Sequence, residues 1–227
     1  MPHVFVDDVG APVLADDDRH HIERVLRTRI GEEVTVADGS GGWRRCVLAG
    51  AGRLEPVAEP EHLQRPSPAL SIAFAITKGD KPELTVQKLT ELGVDRIVPF
   101  TAARSVARWD GDRAERHLDR LRRVAREAAM QSRRAWLPVI DDVVTFAAAA
   151  QMPGAALADA GGPPPTLVHP VVLIGPEGGW ADDERAGRPV VGLGDHVLRA
   201  ETAAIAAATL LTAIRSRRVI ASTLNDT

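Results

Sequence analysis

The sequence predicts an α/β fold, a largely parallel sheet covered by helices, preceded by a small β-rich unit. Three observations lead there. Before residue 60 the strand-like runs are short and joined through a glycine-rich turn, as in hairpins. From Leu70 onward apolar strand-like runs alternate with helical periodicity, the pattern of parallel strands joined by crossover helices. Between them "EPVAEPEHLQRPSP" holds four prolines and no apolar periodicity, which places a boundary near residues 60–69 and divides the chain into 1–66 and 70–227.

In the first unit "HVFV" is strand-like, and "ADDDRHHIERVLRTRIG" carries Ile22, Val25 and Leu26 at helical spacing before stopping at Gly31. "EVTVAD", the turn "GSGG" and "WRRCVLAG" then form a hairpin. In the second unit "LSIAFAIT" is a strand. "DKPELTVQKLTELG" is a helix with Asp80 as N-cap, Pro82 in its first turn and Gly93 at its end. "RIVPF" is the next strand, and a long helix follows from about Asp112. In that helix Leu118, Leu121, Ala125, Ala128 and Ala129 fall on one face, while Arg113, Arg116, Arg120 and Arg123 form an exposed stripe on the opposite one. "VVLIG" is a strand. The final helix starts at Glu201, and its alanine-rich "ETAAIAAATLLTAI" permits close packing inside the monomer or across a dimer.

Hydrophobic residues make up 44% of the 227, enough for a core without staples. Cys46 is the single cysteine, so no intramolecular disulfide exists. The first fifteen residues have neither a basic start nor a long apolar run, and no stretch reaches the roughly 18 apolar residues of a membrane helix, so a soluble, cytoplasmic protein is expected. The net charge of −3 hides an uneven distribution: residues 70–140 carry 14 basic and 9 acidic side chains, whereas both flanking segments are net acidic. Phosphate backbones are bound by local clusters, so a near-neutral total leaves a nucleic-acid partner open.

No Gly-x-x-x-x-Gly-Lys-Ser/Thr loop occurs, and no two-glycine dinucleotide fingerprint follows a strand-like run, which removes the main support for nucleotide hydrolysis and hydride transfer. The seven histidines lack metal-ligand spacing, so no metal is expected. Three loops follow strand-like runs: "TKGDK" at 77–81, "GPEGGW" at 175–180 and "LGDHVLRAETA" at 193–203. In an open α/β sheet ligands collect beyond the carboxyl ends of the strands, so the three loops could converge on one pocket. Singly, "GPEGG" is equally a structural turn, and Arg199 or Glu201 equally a salt bridge or a helix-start carboxylate. The residues by themselves give a ligand-binding α/β domain.

The combination resembles a known family. "QKLTELGV" with Arg104–Ser105, "REAAMQSRR", "LIGPEGGW" followed by Glu184, and "LGDHVLRAETA", in this order, are similar to the bacterial small-subunit ribosomal RNA (uracil-N3)-methyltransferases of the SPOUT superfamily. "RHHIERVLRTRIGEEVTVADGSGG" resembles that family's PUA-like N-terminal domain. The resemblance implies a C-terminal deep trefoil knot binding S-adenosyl-L-methionine, a homodimer, and methylation of N3 of one uridine in the decoding region of 16S ribosomal RNA, within the assembled or nearly assembled subunit.

On this resemblance the cofactor loops comprise Ile174, Gly175, Glu177, Gly178 and Gly179, then Leu193, Gly194, Val197, Leu198, Thr202 and Ala203. Arg104, Arg199 and Glu201 are candidates for removing the imide proton or stabilising charge on the uracil oxygens. Glu177 has a second reading as a carboxylate that holds its own loop through backbone N–H groups. Arg27, Arg29, Lys78, Lys88, Arg133 and Arg134, with Arg104, are candidates for phosphate contacts. One departure stands out: between Glu184 and Leu193 there is only "RAGRPVVG", so the helix before the last strand is expected to be truncated or disordered. A related ribose 2′-O-methyltransferase, a catalytically inactive RNA-binding protein and a small-molecule enzyme are the alternatives. The last leaves the basic middle third unexplained.

Overall fold

The computed structural model describes residues 1–20, 22 and 28–219, which fall into two compact units. The first consists of Met1–Pro66 together with Arg126–Leu137. Its strands are β1 (His3–Phe5), β2 (Glu33–Ala37), β3 (Gly42–Leu48), β4 (Leu54–Pro56) and β5 (Glu61–His62), with a short helix α1 (Asp16–His20) after β1. β2 and β3 form the expected antiparallel hairpin, with Glu33 opposite Val47 and Ala37 opposite Trp43. Its turn is organised by Asp38, whose Oδ1 accepts the N–H of Ser40 at 2.6 Å and of Gly42 at 3.0 Å. β1 joins β2 in parallel, and β4 and β5 pair with β3. Val4, Ile22, Val34, Val36 and Cys46 fill the core with Ala129, Met130 and Ala135. Of the helical segment expected over residues 15–31, residues 21 and 23–27, including Val25 and Leu26, lie outside the described residues.

The second unit holds Ser67–Ala125 and Pro138–Thr227. In order it contains β6 (Ser71–Ala75), α2 (Lys81–Leu92), β7 (Arg96–Thr101), α3 (Gly111–Gln131, shared with the first unit), β8 (Val139–Ile140), β9 (Val144–Thr145), α4 (Phe146–Ala150), β10 (Ala155–Ala158), β11 (Val171–Ile174), α5 (Asp182–Arg185), β12 (Val190–Val191) and α6 (Ala200–Arg215). The sheet order is β12-β10-β11-β6-β7-β8, with β9 also beside β7, and every pairing is parallel. β6 and β11 are buried along their whole length, as strands covered on both faces must be. Ile72, Phe74, Val172 and Ile174 share one cluster with Val86, Leu89, Leu121, Ala207 and Leu211 of the helices. Ala73, Ala75, Leu157 and Leu173 point the other way, toward Phe146, Ala149 and Trp180.

Helix α2 runs as its end signals require: Pro82 occupies the first turn, and Gly93 takes the left-handed conformation at φ 92°. Asp80 is the N-cap by position, but its side chain makes no capping hydrogen bond. In α3 the five expected core residues are buried and the four arginines exposed, with Arg120 paired to Glu83 at 3.0 Å. The short segment 185–192 continues from α5, a single turn, and itself carries β12, so the helix ahead of the last strand is one turn long. Among the described residues no helix is long and apolar enough to cross a membrane.

Candidate functional site

Beyond the carboxyl ends of β10 and β11 lies a cavity of about 460 Å³, within the range typical of small-molecule sites. Ala158, Asp159 and Ala160 line it from the end of β10, and Ile174 to Glu177, Gly179 and Trp180 from the loop after β11. Leu193, Gly194 and residues 196–200, with Ala203, close it from the segment between β12 and α6. Ile174, Leu193, Leu198 and Ala203 give it apolar walls, while Asp159, Glu177 and Arg199 bring charge.

The turn "GPEGGW" takes its shape from its glycines and its tryptophan. The Gly179 N–H donates to the Pro176 carbonyl at 2.9 Å, closing a tight turn that puts Gly179 at φ 71°. A Cβ on Gly179 would meet no atom within 4 Å, and the same holds for Gly194 at φ 137°. Both glycines therefore leave bare backbone facing open space on the cavity side, where a ligand can approach closely. At Gly175, by contrast, a Cβ would press on the Trp180 ring at 3.0 Å. That ring stacks on Phe100 with centroids 6.2 Å apart and planes 5° apart, and its Nε1 donates to the Ala158 carbonyl at 2.9 Å. Trp180 thus ties the β11 loop to the β10 loop.

Glu184 performs a second tie. It is buried, and its Oε1 accepts the Ala103 N–H at 2.8 Å while Oε2 accepts the Ala181 N–H at 3.1 Å. The loop carrying Arg104 is thereby pinned to the turn, and Arg104 donates to the Gly178 carbonyl at 3.2 Å. A Cβ on Gly178 would lie 3.3 Å from that of Arg104.

The charges at the rim are coupled. Lys81 Nζ donates to Glu177 Oε1 at 2.8 Å and stands 3.9 Å from Glu201 Oε2. The hydrogen bond from Lys81, aided by its charge, holds the Glu177 carboxyl below its ordinary value, and the same bond raises Lys81. Glu201 Oε2 is buried and accepts no hydrogen bond from the described residues.

The sequence-derived cofactor residues divide. Ile174, Gly175, Glu177, Gly179, Leu193, Gly194, Leu198 and Ala203 line the cavity, and Val197 stands at its rim, 92% exposed. Gly178 and Thr202 do not line it; Gly178 backs onto Arg104 and Thr202 is exposed. Arg199 is a lining residue, whereas Glu201 joins the Lys81 cluster and Arg104 reaches the turn from outside. Of the phosphate-contact candidates, Arg29, Lys78 and Arg133 are exposed, Lys88 is held by Glu91 at 2.9 Å, and Arg27 lies outside the described residues. The Arg134 carbonyl accepts from His3 Nε2 at 3.1 Å.

Sequence reasoning missed Asp159, His196 and Lys81. The first follows the unpatterned strand "AALA", and His196 sits in a loop already singled out for other residues. Lys81 carried a usable signal: a cation in the first turn of a helix opposes the helix dipole and calls for a carboxylate partner.

The site thus offers an apolar cleft with bare backbone and paired charges, suited to a small molecule with apolar, polar and charged parts. A family description of RNA methyltransferase domains matches residues 64–212, and one of RNA methyltransferase PUA domains matches residues 14–61. The chain is 34% identical to ribosomal RNA small subunit methyltransferase E of Mycobacterium bovis over 92% of its own length and 89% of that protein's. Its identity to the protein of the same name from Synechocystis is 32%, covering 81% of this chain and 67% of the relative. The crystal structure of ribosomal RNA small subunit methyltransferase E from Neisseria gonorrhoeae bound to S-adenosyl methionine matches with a TM-score of 0.78 and 30% identity, covering 94% of this chain and 98% of the other. The chain belongs to this family of RNA methyltransferases, with a PUA-like N-terminal domain ahead of the α/β methyltransferase domain.

Proposed function

We propose that this protein transfers a methyl group from S-adenosyl-L-methionine to N3 of a uridine in small-subunit ribosomal RNA. The observation that carries the reading is the cavity walled by the β10, β11 and β12 loops, with the bare backbone of Gly179 and Gly194 facing it. The residues fit the group: Ile174, Leu193, Leu198 and Ala203 suit an adenine and its ribose, and Asp159 and Glu177 suit ribose hydroxyls or an amino group. Once bound, S-adenosyl-L-methionine supplies an already activated methyl group.

The chain's own residues have two tasks. The first is alignment, since holding nucleophile and methyl in line is the main source of acceleration when the donor is already activated. Trp180 and Glu184 serve this by fixing the loops that wall the cavity. The second is to help N3 shed its proton and to meet the charge that spreads onto the uracil oxygens. Glu201 serves as proton acceptor, and Arg199 and Arg104 as the positive groups. Glu177, engaged by Lys81, acts as a loop anchor.

The finer parts of the reading follow the family resemblance. The loops around the cavity are those of a deep trefoil knot, the working unit is a cytoplasmic homodimer, and the target lies in the assembled or nearly assembled small subunit. Arg29, Lys78, Lys88, Arg133 and Arg134 contact its phosphates. Purified small subunits lacking the modification, incubated with protein and cofactor, should yield 3-methyluridine by nucleoside mass spectrometry; a 2′-O-methylated nucleoside instead, or none, refutes the reading. Light scattering should give about twice the 24.3 kDa chain mass, and a monomer at assay concentration refutes the dimer.

A further inference from the structure

We infer that the Trp136–Arg65 stack of the first unit is a subsite for an unpaired nucleotide of the RNA substrate, taking the base by stacking while Arg133 meets a phosphate of the same strand. This rests on the RNA methyltransferase reading above.

The platform is built by the backbone. Residues 135–137 run beside the turn between β2 and β3: the Gly41 N–H donates to the Ala135 carbonyl at 3.1 Å, the Leu137 N–H donates to the Gly39 carbonyl at 2.9 Å, and Trp136 bridges to Ser40. The indole is then fixed by its neighbours. Its Nε1 donates to the Leu63 carbonyl at 3.0 Å, and the His62 ring meets it edge to face with centroids 5.8 Å apart. Arg65 lies over the ring, its Cζ 5.2 Å from the centroid. Gly41, at φ 99°, leaves the room: a Cβ there would come within 2.5 Å of the indole and 2.9 Å of His62.

The stack is open to solvent. His62, Leu63, Gln64 and Arg65 are exposed, and Trp136 is half-buried. Unpaired bases stack on aromatic rings and on guanidinium planes, whichever base is presented, because every base has a π face. In a duplex those faces are already covered by neighbouring pairs, so the platform selects single strands. An indole already held in place loses little freedom when a base joins it.

The charges fit the same ligand. Among the described residues neither Arg65 nor Arg133 has a carboxylate partner, so both guanidinium groups can meet phosphate. Asp38, in the adjacent turn, is engaged by the N–H groups of Ser40 and Gly42. Arg133 stands just past α3 at φ 56°, a left-handed position where glycine is the usual residue. An exposed arginine kept there against its backbone preference holds a cation on this edge of the unit.

The test uses the full chain labelled with 5-fluorotryptophan, whose four tryptophans give four fluorine resonances, that of Trp136 assigned through Trp136→Phe. Titration with single-stranded oligouridylate should shift the Trp136 resonance and leave buried Trp109 in place, and an RNA duplex of the same length should leave Trp136 unmoved. Trp136→Ala should weaken oligouridylate binding about five- to a hundredfold with an unchanged salt slope, since stacking releases no counterions, whereas Arg133→Glu should lower the slope. Trp136→Phe should retain most of the affinity. A purely structural stack would lower the melting temperature of Trp136→Ala and leave its affinity for RNA intact. Wild-type affinity in folded Trp136→Ala, no binding of oligouridylate to the wild type, or binding with the Trp136 resonance unmoved each overturns the inference, the last also serving if Trp136→Ala does not fold. Wild-type protein that binds oligouridylate at Trp136 but makes no 3-methyluridine on purified small subunits overturns the parent reading instead.

Discussion

Arg215, in the last turn of α6, and Asp95, just ahead of β7, form a buried ion pair whose side chains are 10% and 2% exposed. Asp95 Oδ2 also accepts the Leu70 N–H at 2.8 Å, and Arg215 donates to the Gly93 carbonyl at 2.9 Å. The pair therefore fastens the last helix to the start of the seven-stranded sheet, away from the cavity. Arg215→Ala would strand a buried carboxylate, and a loss of about 3–5 kcal/mol is expected. Urea unfolding measures it; a loss under about 1 kcal/mol would mean that Asp95 finds water or another donor.

Gly179→Val separates binding from folding. At φ 71° the branched side chain is strained by roughly 1–2 kcal/mol, yet its Cβ meets no atom of the described residues within 4 Å. The protein should fold with a modestly lowered melting temperature while cofactor affinity falls at least about tenfold by calorimetry. Full affinity in a folded variant would show that no ligand approaches this backbone.

Glu184→Gln and Glu184→Ala grade the tie between the Arg104 loop and the turn. Glutamine keeps one acceptor oxygen and loses the charge assistance, whereas alanine leaves the N–H groups of Ala103 and Ala181 without an acceptor. Losses of about 1 kcal/mol for Gln and about 2–4 kcal/mol for Ala are expected in chemical denaturation. Equal losses in the two variants would argue that packing, and not the paired acceptors, is what Glu184 contributes.

His3 makes the fold sensitive to acid. Burial is the main cause that lowers its pKa, with repulsion from Arg133 adding to it and the Arg134 carbonyl opposing. An unfolded histidine takes up a proton near pH 6.5, whereas the folded one resists until a lower pH. The unfolded state therefore binds more protons in that window, and stability falls as pH drops below about 6.5, by at most about 1.4 kcal/mol per unit, levelling off below the folded value. Urea titrations of wild type and His3→Gln between pH 5 and 8 should differ in slope in this window. Parallel curves would rule out His3 as the cause.

RNA affinity should fall steeply with salt, because each phosphate neutralised by a basic side chain releases counterions. Reversing Arg133 and Arg134 to glutamate should reduce the slope of log affinity against log salt by about one to two. A salt-independent affinity would remove nucleic acid as a partner, and an unchanged slope would move the contact elsewhere.

The sequence exposes its architecture where side chains carry contrast. The β2–β3 hairpin was legible from "GSGG", α2 from Pro82 and Gly93, and α3 from its segregated arginines. β10 was not, because "AALA" has neither β-branched residues nor alternation, and two-residue strands such as β8 and β12 fall below any periodicity. For the same reason Asp159 escaped notice. The glycine loops pointed to the cavity, but a pairing such as Lys81 with Glu177 spans β6 to β11 and exists only once those strands are neighbours. The orphaned oxygen of Glu201 is likewise a property of packing that no local pattern encodes.

The order β12-β10-β11-β6-β7 has a consequence for synthesis. β6 and β7 leave the ribosome early, but the strand on the other side of β6 is β11, and α2 packs against α6. Until Val171–Ile174 and then Ala200–Arg215 emerge, a nascent chain carries one unpaired edge of β6 and an uncovered flank of α2. That interval is when a chaperone has most to hold. A chain released before residue 171 would keep that open edge, free to pair with the same edge of another truncated copy.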